Sequence, residues 1–457
     1  MISWIRKFYS EHPQSFIFFL AFLYVLLAGL MIQLIIIPYI LPADMTVGNG
    51  LLRGYDAGKF HRIAVDAANK IQTLGWTAWT LKPNMQIVSG IASVFYTLFF
   101  PQPWVMLPLH GLLHGLGCVF FYKTLVLLTR QSKNLILPVL LFTFFPSALL
   151  WNTQLHNDVY IIPEIMFYIY GWTYFSDLNR VFKIRNAIFS FLVLFVGCFL
   201  IWETRNYVSF ILSILSIIIV VFLIIVNSPW IKNHTFSGRK YLYYVILLFS
   251  IFIITTPRLY FSTQKDITLF SDSNQNKVTY YKQPYLWQET KWLPEKVDKK
   301  IKEVARIREK FIRNWDYAGS QIDTHIEFHS IYDFVGYIPR AMQIAFFSPF
   351  PNTWFSSGYK SAGDFMRAES AFEMIIIYIC LIGLPFAVYK TYKNKEFWIL
   401  SFVSLTMLYI YTCTIPNIGS LYRFRYPFLM PLVCLGFWGI LEFNLMKKSE
   451  SSKVEPS

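Results

Sequence analysis

Charge is what this sequence has least of. Only 15% of its 457 residues are Asp, Glu, Lys or Arg, and acids are the scarcer sign, 26 against 41 Lys and Arg. Soluble domains carry about 25% charged residues, so the two or three soluble domains that the length would allow are not expected. Cysteine is scarce too: Cys118, Cys198, Cys380, Cys413 and Cys434, all within or at the ends of apolar runs. That odd number, without paired spacing, is neither a disulfide framework nor a zinc site. A P-loop, a dinucleotide fingerprint and zinc-finger spacing are all missing. The net charge of +15 is explained by basic cytoplasmic loops and anionic lipid headgroups, and no nucleic-acid partner is expected.

Apolar residues are abundant instead, at 55% with 19% aromatic and a mean hydropathy of +0.43. About 20 apolar residues in a helix cross the hydrocarbon layer, and "SFIFFLAFLYVLLAGLMIQLIIIPYIL" exceeds that. The expected fold is an all-α polytopic membrane protein of about ten transmembrane helices. The runs are Ser15–Leu41, Trp104–Leu128, Leu135–Trp151, Val159–Phe175, Ala187–Trp202, Tyr207–Val226, Tyr241–Thr256, Ala371–Tyr389, Phe397–Cys413 and Tyr426–Phe443. Another run, Met85–Phe100, is short and bounded by Pro83 and Pro101.

Orientation follows from the positive-inside bias. With a cytoplasmic N-terminus and Met85–Phe100 lying in the interface, the short inside loops carry Arg130 and Lys133; Arg180, Lys183 and Arg185; Lys232, Arg239 and Lys240; Lys390, Lys393 and Lys395. Lys447, Lys448 and Lys453 follow in the tail. Counting Met85–Phe100 as a span would move most of these clusters outside. The chain divides into a membrane module at 1–256 of about seven spans with its first outward loop at 42–103, a long outward loop at 257–370, a segment of about three spans at 371–446, and a disordered cytoplasmic tail at 447–457. The first run is too long for a cleaved signal and lacks a small-residue cleavage site, so it is expected to be a signal anchor. The expected location is a bacterial plasma (inner) membrane, with both termini cytoplasmic. In the long loop, Val297, Ile301, Val304, Ile307 and Phe311 recur at helical spacing and predict an amphipathic helix on the membrane or the protein. "AMQIAFFSPFPNTWF" predicts an interfacial or re-entrant segment.

This topology gathers the unusual polar motifs on the outward face: "GYDAGKFH", "NTQLHNDVY", "ETRNY", "PRLYF" and "NIGSLYRFRY". Ionisable groups at span ends, directed to one side, mark a functional site.

One span, then an outward loop with D-x-x-x-[F/Y]-H-x-x-A, here Asp56, Phe60, His61 and Ala64, then an interfacial helix and a span, resembles the GT-C superfamily of membrane glycosyltransferases. "HND" with Asp158 matches the family's second outward acid, and "LYRFRYPF" resembles its late R-Y-R-x-P, with Arg423 and Arg425 flanking a Phe. Asp56 is followed by Ala57, where many relatives have a second acid. The resemblance covers the first 180 or so residues in order and the C-terminal quarter loosely, with the protein-mannosyltransferase and aminoarabinose-transferase branches as the nearest in kind. No oligosaccharyl-transferase signature occurs in the long loop. The resemblance implies inverting transfer of a sugar from a polyprenyl-phosphate donor to an acceptor (lipid, glycan or protein) on the outward side, amid membrane lipids. It makes Asp56 and Asp158 the candidate catalytic acids, each a general base on the acceptor or a holder of a divalent ion. Arg205, Arg258, Arg423 and Arg425 are the candidate phosphate-binding groups. Asp56, His61, His156 and Asp158 are candidate metal ligands, for Mg, Mn or Ca through oxygen and Zn or Mn where imidazole joins.

Each residue also has a plainer reading. Asp56 suits a helix N-cap, worth about 1 kcal/mol over Ala, and the stripe Phe60, Ile63, Ala64, Ala67 and Ile71 suits a surface-lying helix. Asp158 opens a span, where a carboxylate complements the helix dipole by up to about 1 kcal/mol. His61 suits an interfacial histidine, each arginine can snorkel, Glu203 suits a partner for Arg205, and Glu164 requires an internal partner. Three rival functions remain: a polymerase or ligase of polyprenyl-diphosphate glycans, a transporter, and a non-catalytic member of an envelope-glycan assembly. The enzymatic reading requires Asp56, Asp158 and arginines from later loops to converge.

Overall fold

The computed structural model describes residues 11–53, 56–131, 134–181, 183–227, 245–246, 249, 285–314, 319–355 and 361–451. Prolines and apolar run lengths set the helix boundaries. Helix α1 (Pro13–Met31) starts with Pro at its first turn, where a missing N–H costs nothing. It continues as a π-helical stretch, Ile32–Ile40, around Pro38, which has no N–H to give. A short antiparallel hairpin follows, β1 (Thr46–Gly48) and β2 (Leu51–Leu52). Next come α2 (Ala57–Leu74), α3 (Ile87–Leu98), α4 (Leu107–Thr129), α5 (Ile136–Thr143), α6 (Pro146–Asn152), α7 (Asp158–Phe175), α8 (Ile184–Thr204) and α9 (Asn206–Asn227). The second half holds α10 (Glu295–Asn314), α11 (Ile331–Phe347), α12 (Ser361–Ile382), α13 (Leu384–Thr391), α14 (Lys395–Thr414) and α15 (Ile418–Ser451).

Among the described residues, 6 helical stretches are long and apolar enough to cross a membrane: Pro13–Ile40, Pro103–Thr129, Ile184–Thr204, Asn206–Asn227, Lys395–Thr414 and Ile418–Met446. Helices α12 and α13, bent by 42° at their junction, bring the number to 7 if they act as one span. The chain is an all-α polytopic membrane protein. The run Leu135–Trp151 is not one continuous helix: it breaks after Thr143, and Pro146 starts a new helix because it cannot continue the old one. Helix α3 has 12 residues and reaches only about 18 Å, short of the roughly 30 Å hydrocarbon layer. Most of the run Tyr241–Thr256 lies outside the described residues.

Helix α7 is the axis of the first half. All of its residues are buried, and it packs against α4, α8, α14 and α15. Glu164 within it accepts a 2.7 Å hydrogen bond from the Thr204 hydroxyl of α8, the internal partner that a buried carboxyl requires. In the second half, the α12–α13 corner presses backbone to backbone against α15. A Cβ on Gly436 would stand 2.3 Å from the Cys380 carbonyl oxygen, and one on Gly439 2.3 Å from that of Gly383. Small residues allow such close helix crossings.

The amphipathic helix of the long loop, α10, docks on the protein, against α14. Ile301, Val304 and Phe311 meet the core, but the most buried residues are Asp298, Ala305 and Arg308, while Val297 is 44% exposed. The docking face is turned from the apolar stripe because Arg308 donates to the Thr412 and Cys413 carbonyls at the end of α14.

Candidate functional site

Four of the five outward motifs meet at the start of α7. Asp158, only 1% exposed, receives the Arg205 guanidinium on Oδ1 at 2.6 Å. Its Oδ2 lies 2.7 Å from His156 Nδ1 and 3.2 Å from Arg423 Nε. Arg423 also donates from Nη1 to His156 Nε2 at 2.8 Å. That bond makes Nε2 the acceptor, so Nδ1 carries the proton given to Asp158. Burial and the neighbouring Arg423 lower the His156 pKa and favour this neutral imidazole. Burial alone would raise the Asp158 carboxyl, but Arg205 and Arg423 outweigh it and hold it well below the usual carboxylate range.

Chain geometry explains the convergence. Asp158 is the first residue of α7, Arg205 caps the C-terminal end of α8, and Arg423 lies in the second turn of α15. Asn417 starts that helix by accepting the Ser420 N–H at 2.9 Å. The Phe424 ring lies between the two cations, 4.2 Å from the Arg205 guanidinium carbon and 5.3 Å from that of Arg423. It separates like charges while facing both. Arg205 Nη1 and the Tyr411 hydroxyl are both buried, and neither meets a partner at full hydrogen-bond geometry.

Asp56 stands at the rim, 56% exposed, with Oδ2 3.8 Å from Arg423 Nη2. It precedes α2 at the N-cap position but makes no capping hydrogen bond, its backbone being already helical at φ −69° and ψ −6°. The capping explanation therefore does not account for this side chain. The buried face of α2 runs through Ala57, Phe60, His61, Ala64, Ala68 and Ile71, turned toward His61 and Ala68 from the stripe that the sequence suggests.

The other candidates lie elsewhere. Arg425 is 1% exposed and points away, donating to the Ile344 and Ala345 carbonyls at 3.2 and 2.8 Å and to both oxygens of Ser348. Two residues along a helix turn a side chain by about 200°, so Arg423 and Arg425 cannot share a ligand, and Arg425 instead closes the C-terminal end of α11. Arg258 lies outside the described residues. Glu203 pairs with Lys82 at 2.8 Å rather than with Arg205. His61 is buried between Asn49 Nδ2 at 3.0 Å and the Tyr96 hydroxyl at 2.9 Å, with both ring nitrogens engaged.

These donors do not fit a divalent cation as arranged. Both oxygens of Asp158 face guanidinium groups, both nitrogens of His156 are engaged, and His61 is turned into the α2–α3 packing. A metal ion would have to displace a protein cation. Among the described residues, no three of His, Cys, Asp and Glu come close enough to hold one.

Sequence reasoning passed over Phe424 and Tyr411. Phe424 was visible in "RFR" only as a departure from a motif, and Tyr411 is one of 29 tyrosines. The chain matches no protein-family model, no curated protein and no solved structure.

Proposed function

We propose that the chain is an integral-membrane glycosyltransferase of GT-C type, which moves a sugar from a polyprenyl-phosphate donor to an acceptor hydroxyl with inversion. One observation carries this reading: two guanidinium groups from separate helices share a single buried carboxylate, while a second, exposed carboxylate stands at contact distance from one of them. The buried centre holds one positive charge in excess, suited to a phosphate bearing a lipid chain. Arginine's planar fork pairs with two phosphate oxygens at once.

In the reaction, the bond from the anomeric carbon to the phosphate oxygen breaks, and the phosphate leaves with the electron pair. Arg205 and Arg423 neutralise it, as preorganised donors do where charge develops. The acceptor oxygen attacks the opposite face of that carbon and gives its proton to Asp56. Asp158 and neutral His156 hold the two arginines in place. About ten spans, cytoplasmic termini and a bacterial plasma (inner) membrane complete this reading, with the site outward.

Mass spectrometry of the lipid that co-purifies with the protein tests it first. A polyprenyl phosphate, lost on Arg423→Gln, is the expected result, and a transported small molecule in its place overturns the reading. A general base contributes about 10²–10⁴-fold, so Asp56→Asn should fold and lose transfer by at least the lower figure. Full retained transfer would move the assignment to a polymerase or ligase of polyprenyl-diphosphate glycans. Alanine tolerance at Asp56, Arg205 and Arg423 alike would leave a non-catalytic assembly member.

A further inference from the structure

Asp56 and Asp158 are 102 residues apart by their numbers, yet both reach Arg423. A side chain that the site chemistry does not use joins the chain segments that carry them. Gln154, 1% exposed, lies in the turn between α6 and α7, four residues before Asp158. Its Oε1 accepts the Leu52 N–H at 2.9 Å, and its Nε2 donates to the Gly50 carbonyl at 3.3 Å. Leu52 is four residues before Asp56. A carboxamide carries both a donor and an acceptor, as a peptide group does, so Gln154 pairs with the hairpin as a neighbouring strand would.

The hairpin is held from two further sides. Gly50 has φ +69°, and a Cβ there would stand 2.5 Å from the Gln33 carbonyl oxygen. The Gln33 side-chain amide in turn donates to the Thr153 carbonyl, beside Gln154. On the other side, Asn49, with φ +53°, holds His61 of α2. The "GNG" turn is thereby fastened to α1, to α2 and to the Asp158 turn together.

We propose that Gln154 is a positioning residue, a clasp that sets how close the Asp56 carboxylate stands to Arg423. As a statement of geometry the clasp is independent of chemistry; its importance for catalysis rests on the glycosyl-transfer reading. A misplacement of about 1 Å can cost on the order of 100-fold in turnover.

The test reads the position of residue 56 without any substrate. In the full chain carrying Asp56→Cys, alkylation of that exposed thiol is followed against pH, with unsubstituted protein reporting the native thiols. A nearby guanidinium lowers a thiol pKa below its usual value of about 8.5, so Asp56→Cys should react about fivefold faster at neutral pH than Asp56→Cys with Arg423→Gln. Adding Gln154→Met should abolish that advantage. It should also speed amide exchange at Leu52 by roughly tenfold or more while the α7 amides stay protected. Gln154→Glu, which keeps the acceptor and loses the donor, should fall between. Should Gln154→Met lose protection throughout, Gln154→Glu decides. An unchanged alkylation profile, or unchanged Leu52 exchange, overturns the clasp. If the clasp behaves as expected while Asp56→Asn keeps full transfer, positioning stands and the general-base role of Asp56 in the proposed reaction falls.

Discussion

Two clusters of arginine and aspartate lie in this molecule, and they end in opposite conditions. In the long loop, Arg340 grips both oxygens of Asp323 at 2.9 Å, and Tyr337 donates to Oδ2 at 2.9 Å. Arg308 there gives its donors to the carbonyls of Asp323, Ile326, Thr412 and Cys413. Two guanidiniums stand to one carboxylate here too, but Arg308 ends on four backbone carbonyls, so this knot fastens α10 and α11 to α14. At the head of α7, two guanidiniums divide one carboxylate, and Arg205 Nη1, Arg423 Nε and the Tyr411 hydroxyl each lack a full hydrogen bond. The knot directs its donors to backbone oxygen and binds elements together, whereas the centre at α7 keeps donors short of a full bond, the feature on which the proposed anion site rests.

The widest gap between the clusters should appear on removing the central acid. Asp158→Asn leaves the buried Arg205 and the partly buried Arg423 without their shared counter-charge, and breaking a buried pair costs about 3–5 kcal/mol. Thermal unfolding in detergent should show that loss, partly restored by an added phosphate lipid. Asp323→Asn should show a smaller loss and no such restoration, and restoration in both variants would erase the distinction.

Next in size, Arg308→Gln strands four carbonyls, at about 1–3 kcal/mol for buried groups left unpaired. Proteolysis across residues 285–330 should rise while Asp56→Cys alkylation stays as in the parent. A change in that alkylation would mean that the knot reaches the site.

pH separates the two more finely. His156 has a lowered folded pKa, so below the usual value of about 6.5 the unfolded chain binds the extra proton and stability falls with pH. Asp323, which burial would raise but Arg340 and Tyr337 depress, contributes stability that is intact above its unfolded pKa of about 3.9 and lost as pH falls through the lower folded value. Chemical denaturation between pH 7 and 5 should therefore show a slope that His156→Gln reduces, by at most the share of one proton, and Asp323→Asn leaves unchanged. The smallest stability change belongs to Asp56→Asn, about 0.5 kcal/mol or less as for exposed ion pairs, since the carboxylate that meets Arg423 is 56% exposed, although transfer should be lost.

Much of this was legible in the chain and some of it was not. Run lengths and prolines announced the apolar helices, the short α3 and the helix in the long loop, because hydropathy and helical period are local properties. The break at Pro146 was legible in principle, but a greasy run conceals it when only hydropathy is summed. Asp56, Asp158, Arg205 and Arg423 stood out as charges in an apolar chain. Arg425 looked identical to Arg423 by that criterion, and only the direction of its side chain around α15 sets it apart.

By itself, then, the sequence determined that the chain must bury itself in lipid and that its few charges at the ends of apolar runs are exceptional, since the cost of an unpaired charge in an apolar medium holds wherever the chain goes. Which charges meet was decided by tertiary packing alone. The crossing of α7 with α8 and α15 brings Asp158 to Arg205 and Arg423, and Gln154 ties a hairpin to a turn a hundred residues away by number. Hydrogen bonds and ion pairs depend on ångström distances and on direction, and no spacing along the chain encodes either.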